Sequence, residues 1–290
     1  QLSESATRLQ RVVGTSMDAV IVIDEDGYPE EWNKAAESIF GWSADEVLGH
    51  NIVDYIIPER YREMHLEGMS RYLETGKGPL INKRTEIVAL NKANEEVSIE
   101  ITVSPISIEG RKIFSAFIRD IGERKKTESK MAQDYHSQRV IASVLEISMR
   151  SISFEEKLEQ SLKQILSTPW LRVQQKGAIF ITDKETRMLV MAAQCGLNAE
   201  IKHRCNQIKF GECLCGQAAE KQAMIFKSHL DASHTIMYEG IRDHGHYMFP
   251  IMLEDNLMGV MNLYLNAGHE KNDEEVQFLQ TIANTLGNMI

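Results

Sequence analysis

The chain has 290 residues, 43% hydrophobic and 26% charged, with a formal net charge of −10 at pH 7. That length predicts two domains, each able to bury its own core, and the composition excludes a disordered chain. The acidic balance argues against the phosphate backbone of nucleic acid as a partner, and no apolar run reaches the roughly 20 residues that span a bilayer.

Residues 1–15 read as an amphipathic lead-in helix with Leu2, Leu9, Val12 and Val13 as its apolar positions. Ala19 to Asp24 is a buried strand closed by a turn at Asp26-Gly27. Helical pieces start at Trp32 to Glu37, and a longer helix over 58–75 stops at Gly76. Three alternating runs near 82–91, 95–106 and 110–120 predict an antiparallel meander, turning at Ala93-Asn94 and Glu109-Gly110.

Gly and Pro are absent from 123 to 168, and that stretch has a helical pattern. Met131, Tyr135, Gln138, Ala142, Leu145, Met149 and Ile152 repeat at 4-3-4-3-4-3, a heptad seam. So long a helix needs packing support, either from the same helix of a second chain or from a domain on which it lies. Beyond it, 177–181 and 188–192 are strands, 213–221 a short helix, and 246–253 with 257–265 a hairpin around Glu254-Asp255-Asn256. A closing helix over 273–290 carries Val276, Leu279, Ile282, Ala283, Leu286 and Ile290. The class is α+β throughout: two mostly antiparallel sheets flanked by helices, at 16–121 and 154–290, joined by a helical, coiled-coil-like linker at 122–153. The start at Gln1 suggests an excised piece, no signal peptide is visible, and a cytoplasmic location is expected.

Four cysteines fall within 195–215 and none precede them. Such a cluster in an intracellular chain points to metal or redox chemistry rather than a disulfide scaffold. Cys205, Cys213 and Cys215 stand near His234, His244 and His246, and thiolate with imidazole suits zinc, iron or an iron–sulfur cluster. Cys213 and Cys215 sit at a helix start, whose dipole is expected to lower thiol pKa, with Cys205 expected in the preceding strand segment. His244 and His246, two apart on a strand, face one side. Cys-x7-Cys-x-Cys is not a zinc-ribbon spacing, and buried cysteines with turn histidines are the plain alternative. Cys195, His203, His229 and His269 read as bystanders.

Asp18 to Asp24, Trp32 to Glu37, Phe40-Gly41-Trp42-Ser43, Glu46 to Gly49 and Arg119-Asp120-Ile121 together make residues 10–127 resemble a PAS domain. Pro58 to His65, followed by Arg71-Tyr72, is similar to the haem-binding helix of oxygen-sensor kinases. The resemblance implies His65 as axial iron ligand and Arg71 as propionate partner. Imidazole is a normal haem ligand, and His65, Met69 and Tyr72 share one helical face. Ile81, Ile99, Ile101 and Val103 would form an apolar distal wall. The Arg that those sensors set over bound oxygen aligns with Thr85 or Glu86, and Arg84 falls on the opposite face. His65 thus reads as a haem ligand or as a core or surface histidine.

Gly177 to Phe180, Phe210 to Ala219 and Gly259 to Leu263 make residues 154–290 resemble a GAF domain. The pairing of Cys-Leu-Cys-Gly with His-Gly-His-Tyr is similar to a subtype of bacterial sensor kinases. Both resemblances imply a sensory input module, not itself an enzyme, responding to a gas, redox state or small ligand. They imply a homodimer through the linker, and a downstream output domain or response regulator, most simply that of a histidine kinase. The alternatives are a cofactor-free dimerisation scaffold, an input module of a cyclic-di-nucleotide cyclase or phosphodiesterase, and a metalloenzyme at the Cys/His cluster.

Overall fold

The computed structural model describes residues 14–108, 110–183, 185–237 and 240–290. The lead-in helix expected over 1–15 lies outside them, but for its last two positions. The chain divides into two units, Gln1–Lys130 and Met131–Ile290. Among the described residues no helix is long and apolar enough to cross a membrane.

The first unit is a five-stranded antiparallel sheet in the order β2-β1-β5-β4-β3. Its strands are β1 (Ala19–Ile23), β2 (Pro29–Trp32), β3 (Arg84–Leu90), β4 (Glu96–Ile108) and β5 (Arg111–Asp120). Short helices α1 (Lys34–Phe40), α2 (Ala44–Val47) and α3 (Val53–Ile56) precede α4 (Glu59–Thr75). Sequence reading saw helix from Trp32 and missed β2, because Pro29-Glu-Glu-Trp is too short to show alternation. Asn33 explains the junction. Its Oδ1 caps α1 through Ala36 N–H and also accepts from Val20 N–H, each at 3.0 Å, tying the helix start to β1. Phe40, Ile21, Ile99, Ile118 and Trp32 form the core between sheet and helices.

α5 (Gly122–Ser148) follows, its first N–H accepted by Asp120. It does not run on to 168. The chain breaks after it, and α6 (Phe154–Leu166) restarts with a capping box from Ser153 and Glu156. The later part of α5 belongs to the second unit, where Val140, Val144 and Ile147 are buried. The seam residues Met131, Tyr135, Gln138, Ala142, Leu145 and Met149 lie on its exposed side.

The second unit is a six-stranded antiparallel sheet, ordered β8-β7-β6-β11-β10-β9. Its strands are β6 (Gly177–Asp183), β7 (Met188–Cys195), β8 (Gln207–Lys209), β9 (Ile225–Lys227), β10 (His244–Leu253) and β11 (Asn256–Asn266). The helices α7 (Ala199–Arg204), α8 (Cys213–Lys221) and α9 (Asp273–Gly287) complete it. Cys205 is not in a strand segment as expected; it is the C-cap of α7. β10 and β11 are buried on both faces. Tyr247, Phe249, Ile251, Met261 and Leu263 pack toward α6 and α9, whereas Met248, Val260 and Tyr264 pack toward α7 and α8. This alternation follows from the period of two along a strand.

A buried carboxylate fixes α9. Glu275, 2% exposed, accepts from Arg172 N–H at 2.9 Å and Tyr247 OH at 3.1 Å, and lies 2.8 Å from His269 Nε2. Burial raises the Tyr247 phenol to about 12, so it remains a donor. His269, read as a bystander, is therefore part of this network.

Gly259 lies where the β6 backbone passes closest: a Cβ there would run into the Phe180 carbonyl oxygen. Gly259→Ala is expected to destabilise the second unit by about 1–3 kcal/mol. Urea denaturation followed on that unit checks this, and an unchanged midpoint would contradict the close approach.

Candidate functional site: three imidazoles beside a thiol-lined cavity

The site lies on the α7–α8 face of the second sheet. His244 and His246 both leave β10 on this side, as their spacing predicts, opposite Asn266 and Tyr264 of β11, with Asn262 the next residue on that face. Gly245 between them has its own cause: a Cβ there would strike the Lys227 carbonyl of β9. His234 comes from the irregular chain between β9 and β10.

The three rings meet. His234 stacks on His246 with centroids 5.3 Å apart, and His244 meets His246 edge-on at 4.7 Å. Each offers one ring nitrogen, and these atoms lie within 4.8 Å of one another, the one such trio among the described residues. His234 Nδ1, His244 Nε2 and His246 Nε2 are buried without a hydrogen-bond partner. For His244 and His246 the contact of the other ring nitrogen sets the tautomer. His244 Nδ1 lies 2.6 Å from the Arg242 carbonyl and His246 Nδ1 lies 2.9 Å from Asn262 Oδ1. Both oxygens can only accept, so Nδ1 carries the proton and Nε2 keeps its lone pair. Burial lowers the pKa of all three imidazoles, and that of His246 furthest, with repulsion from the neighbouring rings adding to it at His234 and His246. Three imidazoles kept neutral by burial, each with a buried unpartnered ring nitrogen, have the donor chemistry to hold a metal ion.

Cys205, Cys213 and Cys215 line the adjoining cavity with Phe180, Ile201 and Met248. They do not join the trio of ligand atoms. For Cys215 the expected lowering of thiol pKa is corrected here. Burial pushes the Cys205 thiol up to about 11, with Cys213 adding to it, and pushes Cys215 well above its ordinary value. A helix terminus offers about 0.3–1 kcal/mol, whereas full burial can shift a group by 3–5 pKa units, so desolvation wins. Cys215 Sγ lies 3.7 Å from the Met248 sulfur. Cys213 adopts φ +52°, a left-handed conformation costly for a residue with a side chain.

Sequence reading missed three residues at this site. Asn262 holds His246. Tyr264 stacks on His244 at 5.1 Å and meets His246 edge-on at 4.5 Å. Lys176 sets its ammonium 4.1 Å over the Tyr264 ring. A lone amide within the apolar run Val260 to Leu265 was the available signal for Asn262.

In the first unit, His65, Met69 and Tyr72 of α4 are half-buried on one face, and Arg71 is exposed. His65 Nδ1 is buried without a partner, and burial lowers its pKa. Tyr72 packs edge-on against Phe114 at 5.4 Å. Ile99 is fully buried, Ile101 packs beside it, and Ile81 bridges to Val103. Thr85 pairs with Ile101, while Arg84 is exposed and ion-paired to Glu100 at 3.5 Å. An imidazole kept neutral by burial, with an unpartnered ring nitrogen, has the donor chemistry of an iron ligand.

Two family descriptions match the chain: "PAS fold" over residues 7–121 and "GAF domain" over residues 151–290. The chain is 30% identical over 139 residues to Sensor protein FixL of Bradyrhizobium diazoefficiens, covering 48% of this chain and 27% of that protein. It is 28% identical over 129 residues to Oxygen sensor protein DosP of Escherichia coli, covering 44% and 15%. It is 25% identical over 134 residues to the Cell-division control histidine kinase PdhS of Brucella anthropi, covering 45% and 12%. The chain thus spans about a quarter or less of the length of these relatives.

Burial holds the three imidazoles below 6.5, so at acid pH the unfolded chain binds more protons than the folded one. Their contribution to stability is complete above that value and is lost as pH falls below it. In protein purified with chelator, the urea midpoint of the second unit is expected to drop between about pH 7 and pH 5. His246→Gln should flatten the drop; an equal slope would refute buried neutral imidazoles.

Proposed function

Because the chain joins a PAS domain to a GAF domain, we propose that it is the sensory input module of a signal-transduction protein. In this reading the GAF domain senses through a metal ion held by His234, His244 and His246. The convergence of three buried, unpartnered ring nitrogens carries the reading. Unmade contacts of this kind cost about 1–3 kcal/mol each, and a metal ion would satisfy all three at once.

An all-imidazole set favours zinc or mononuclear iron over an iron–sulfur cluster, which would need thiolates. The protonated thiols of half-buried Cys205 and buried Cys215 argue the same way. Three protein ligands leave a coordination position for a gas or other small ligand. When bound, the ion supplies Lewis acidity and, as iron, redox chemistry. The protein orients the imidazoles through Asn262 and the Arg242 carbonyl and keeps water out with an apolar wall.

A second reading adds haem to the PAS domain, and the unpartnered His65 Nδ1 favours it. His65 would be the ligand, Met69, Tyr72, Ile81, Ile99, Ile101 and Val103 the walls, and Arg71 the propionate partner. Haem would supply a gas-binding iron. The output in this proposal is a histidine kinase acting on a response regulator in the cytoplasm, and the kinship with FixL and PdhS supports it. The exposed heptad seam of α5 supports a parallel homodimer.

Elemental analysis of chain purified anaerobically without chelators is expected to find one metal ion per chain beyond any haem iron. His246→Ala should abolish stoichiometric binding, Asn262→Ala should weaken it about 10–100-fold, and Cys213→Ser should retain it. Metal-free protein would leave the scaffold reading. A Soret band lost in His65→Ala is the expected sign of haem. In light scattering, Leu145→Asp with Met149→Asp should halve the mass; an unchanged mass would remove the seam as dimer interface.

A further inference from the structure

Resting on the metal reading above, we propose that the GAF centre hydrates carbon dioxide, the ion on His234, His244 and His246 supplying a hydroxide and the adjoining cavity holding the gas.

The donor set comes first. His244 and His246, two apart on β10, each leave Nε2 unpartnered, and His234, from the chain between β9 and β10, leaves Nδ1. No carboxylate oxygen or sulfur is among the three converging atoms. A divalent ion held by neutral imidazoles alone keeps its full double charge. Zinc so ligated lowers the pKa of a bound water to about 7, so hydroxide is at hand near neutral pH. The surroundings call for one. Among the described residues, neither cavity beside the trio is lined by an aspartate, glutamate, lysine or arginine. A buried charge needs a compensating one, and a neutral diatomic ligand would leave it unmet. Hydroxide is the anion that water itself provides.

The space beside the trio selects the second reactant. Two small cavities, each with room for about one water-sized body, share Ile201, Cys205, His234, Ile236 and Tyr264. His234 lines both, and His244 lines the second. A hydroxide fits the cavity that both histidines line. The other is walled mainly by Ala178, Phe180, Leu197, Ile208 and Met248, and its amide, Asn262, is engaged with His246. Such a wall suits a neutral, apolar molecule of a few atoms. To react with hydroxide, that molecule must also offer an electrophilic carbon. Carbon dioxide meets these conditions together.

The step is a simple addition. The hydroxide oxygen bonds to the carbon, one C–O π pair moves onto oxygen, and bicarbonate results. Water then displaces bicarbonate from the ion and gives one proton to solvent buffer, which restores the hydroxide. No oxidant or reductant is needed. The histidines that line the cavities are themselves ligands, so no imidazole is left there to relay the proton, and net turnover is expected to depend on buffer.

The test is oxygen-18 exchange between carbon dioxide and water, read by mass spectrometry on the zinc-loaded full chain, because exchange at equilibrium needs no net proton release. Exchange is expected at about tenfold or more above that of His246→Ala. Ala178→Val, which narrows the apolar cavity, should lower exchange about tenfold while zinc stays at one per chain. Leu197→Phe repeats the comparison if circular dichroism shows that the first variant misfolds. In the cobalt(II)-loaded chain, bicarbonate is expected to shift the visible bands and saturate. The proposal is overturned if exchange equals that of His246→Ala, if neither cavity substitution changes it, or if bicarbonate leaves the cobalt bands unmoved. Those results leave the metal site standing, whereas a chain that binds neither zinc nor cobalt removes both readings together.

Discussion

The second sheet is buried on both faces, and the rest of that unit depends on how β10 and β11 divide their side chains between them. Each strand must send alternate residues to opposite sides. One set, Tyr247, Phe249, Ile251, Met261 and Leu263, is an ordinary apolar core under α6 and α9. The other carries His244, His246, Asn262 and Tyr264 into an equally dry space under α7 and α8. Polar groups in such a place are costly unless partnered, so their unmade contacts are the most informative feature of the molecule. His244 and His246 have their tautomers fixed from one side and a ring nitrogen left unpartnered on the other, the arrangement on which the proposed metal site rests.

The legible and illegible parts of the chain differ in their physics. The meander of the first unit, the β10–β11 hairpin and α9 were all readable, because periodicity over many residues reports a half-buried or buried face. His244 and His246 were readable as a pair for the same reason. His234 could be named only by residue type, since its segment has no period. Lys176 and Tyr264 gave no signal, because their role depends on which strands are neighbours in a six-stranded order that local pattern does not encode. The thiols mark the opposite failure. Residue type grouped them with the imidazoles, yet burial keeps two of the three protonated and their sulfurs out of the ligand trio.

The two units use comparable devices with different results. In the first, one buried amide, Asn33, joins strand and helix and satisfies its contacts internally. In the second, Asn262 satisfies one histidine on one side only, leaving that ring's other nitrogen unspent. A satisfied network fixes a fold, and a network with one open valence can also take a ligand. α5 shows the same contrast along one helix, where Val140, Val144 and Ile147 complete a core while Leu145 and Met149 face solvent.

Glu275 has a consequence for how α9 can move. Apolar packing alone resists separation but tolerates sliding and rolling, because its energy changes little with small displacements along the interface. A single carboxylate held from three segments, at Arg172, Tyr247 and His269, removes that freedom, since hydrogen bonds weaken steeply with angle. Tyr247 is the residue next to His246 and points to the other side of the same strand. The first turn of α9 is thus geared to the pleat of β10, so a tilt of that strand would turn the helix as a whole instead of being absorbed as slippage.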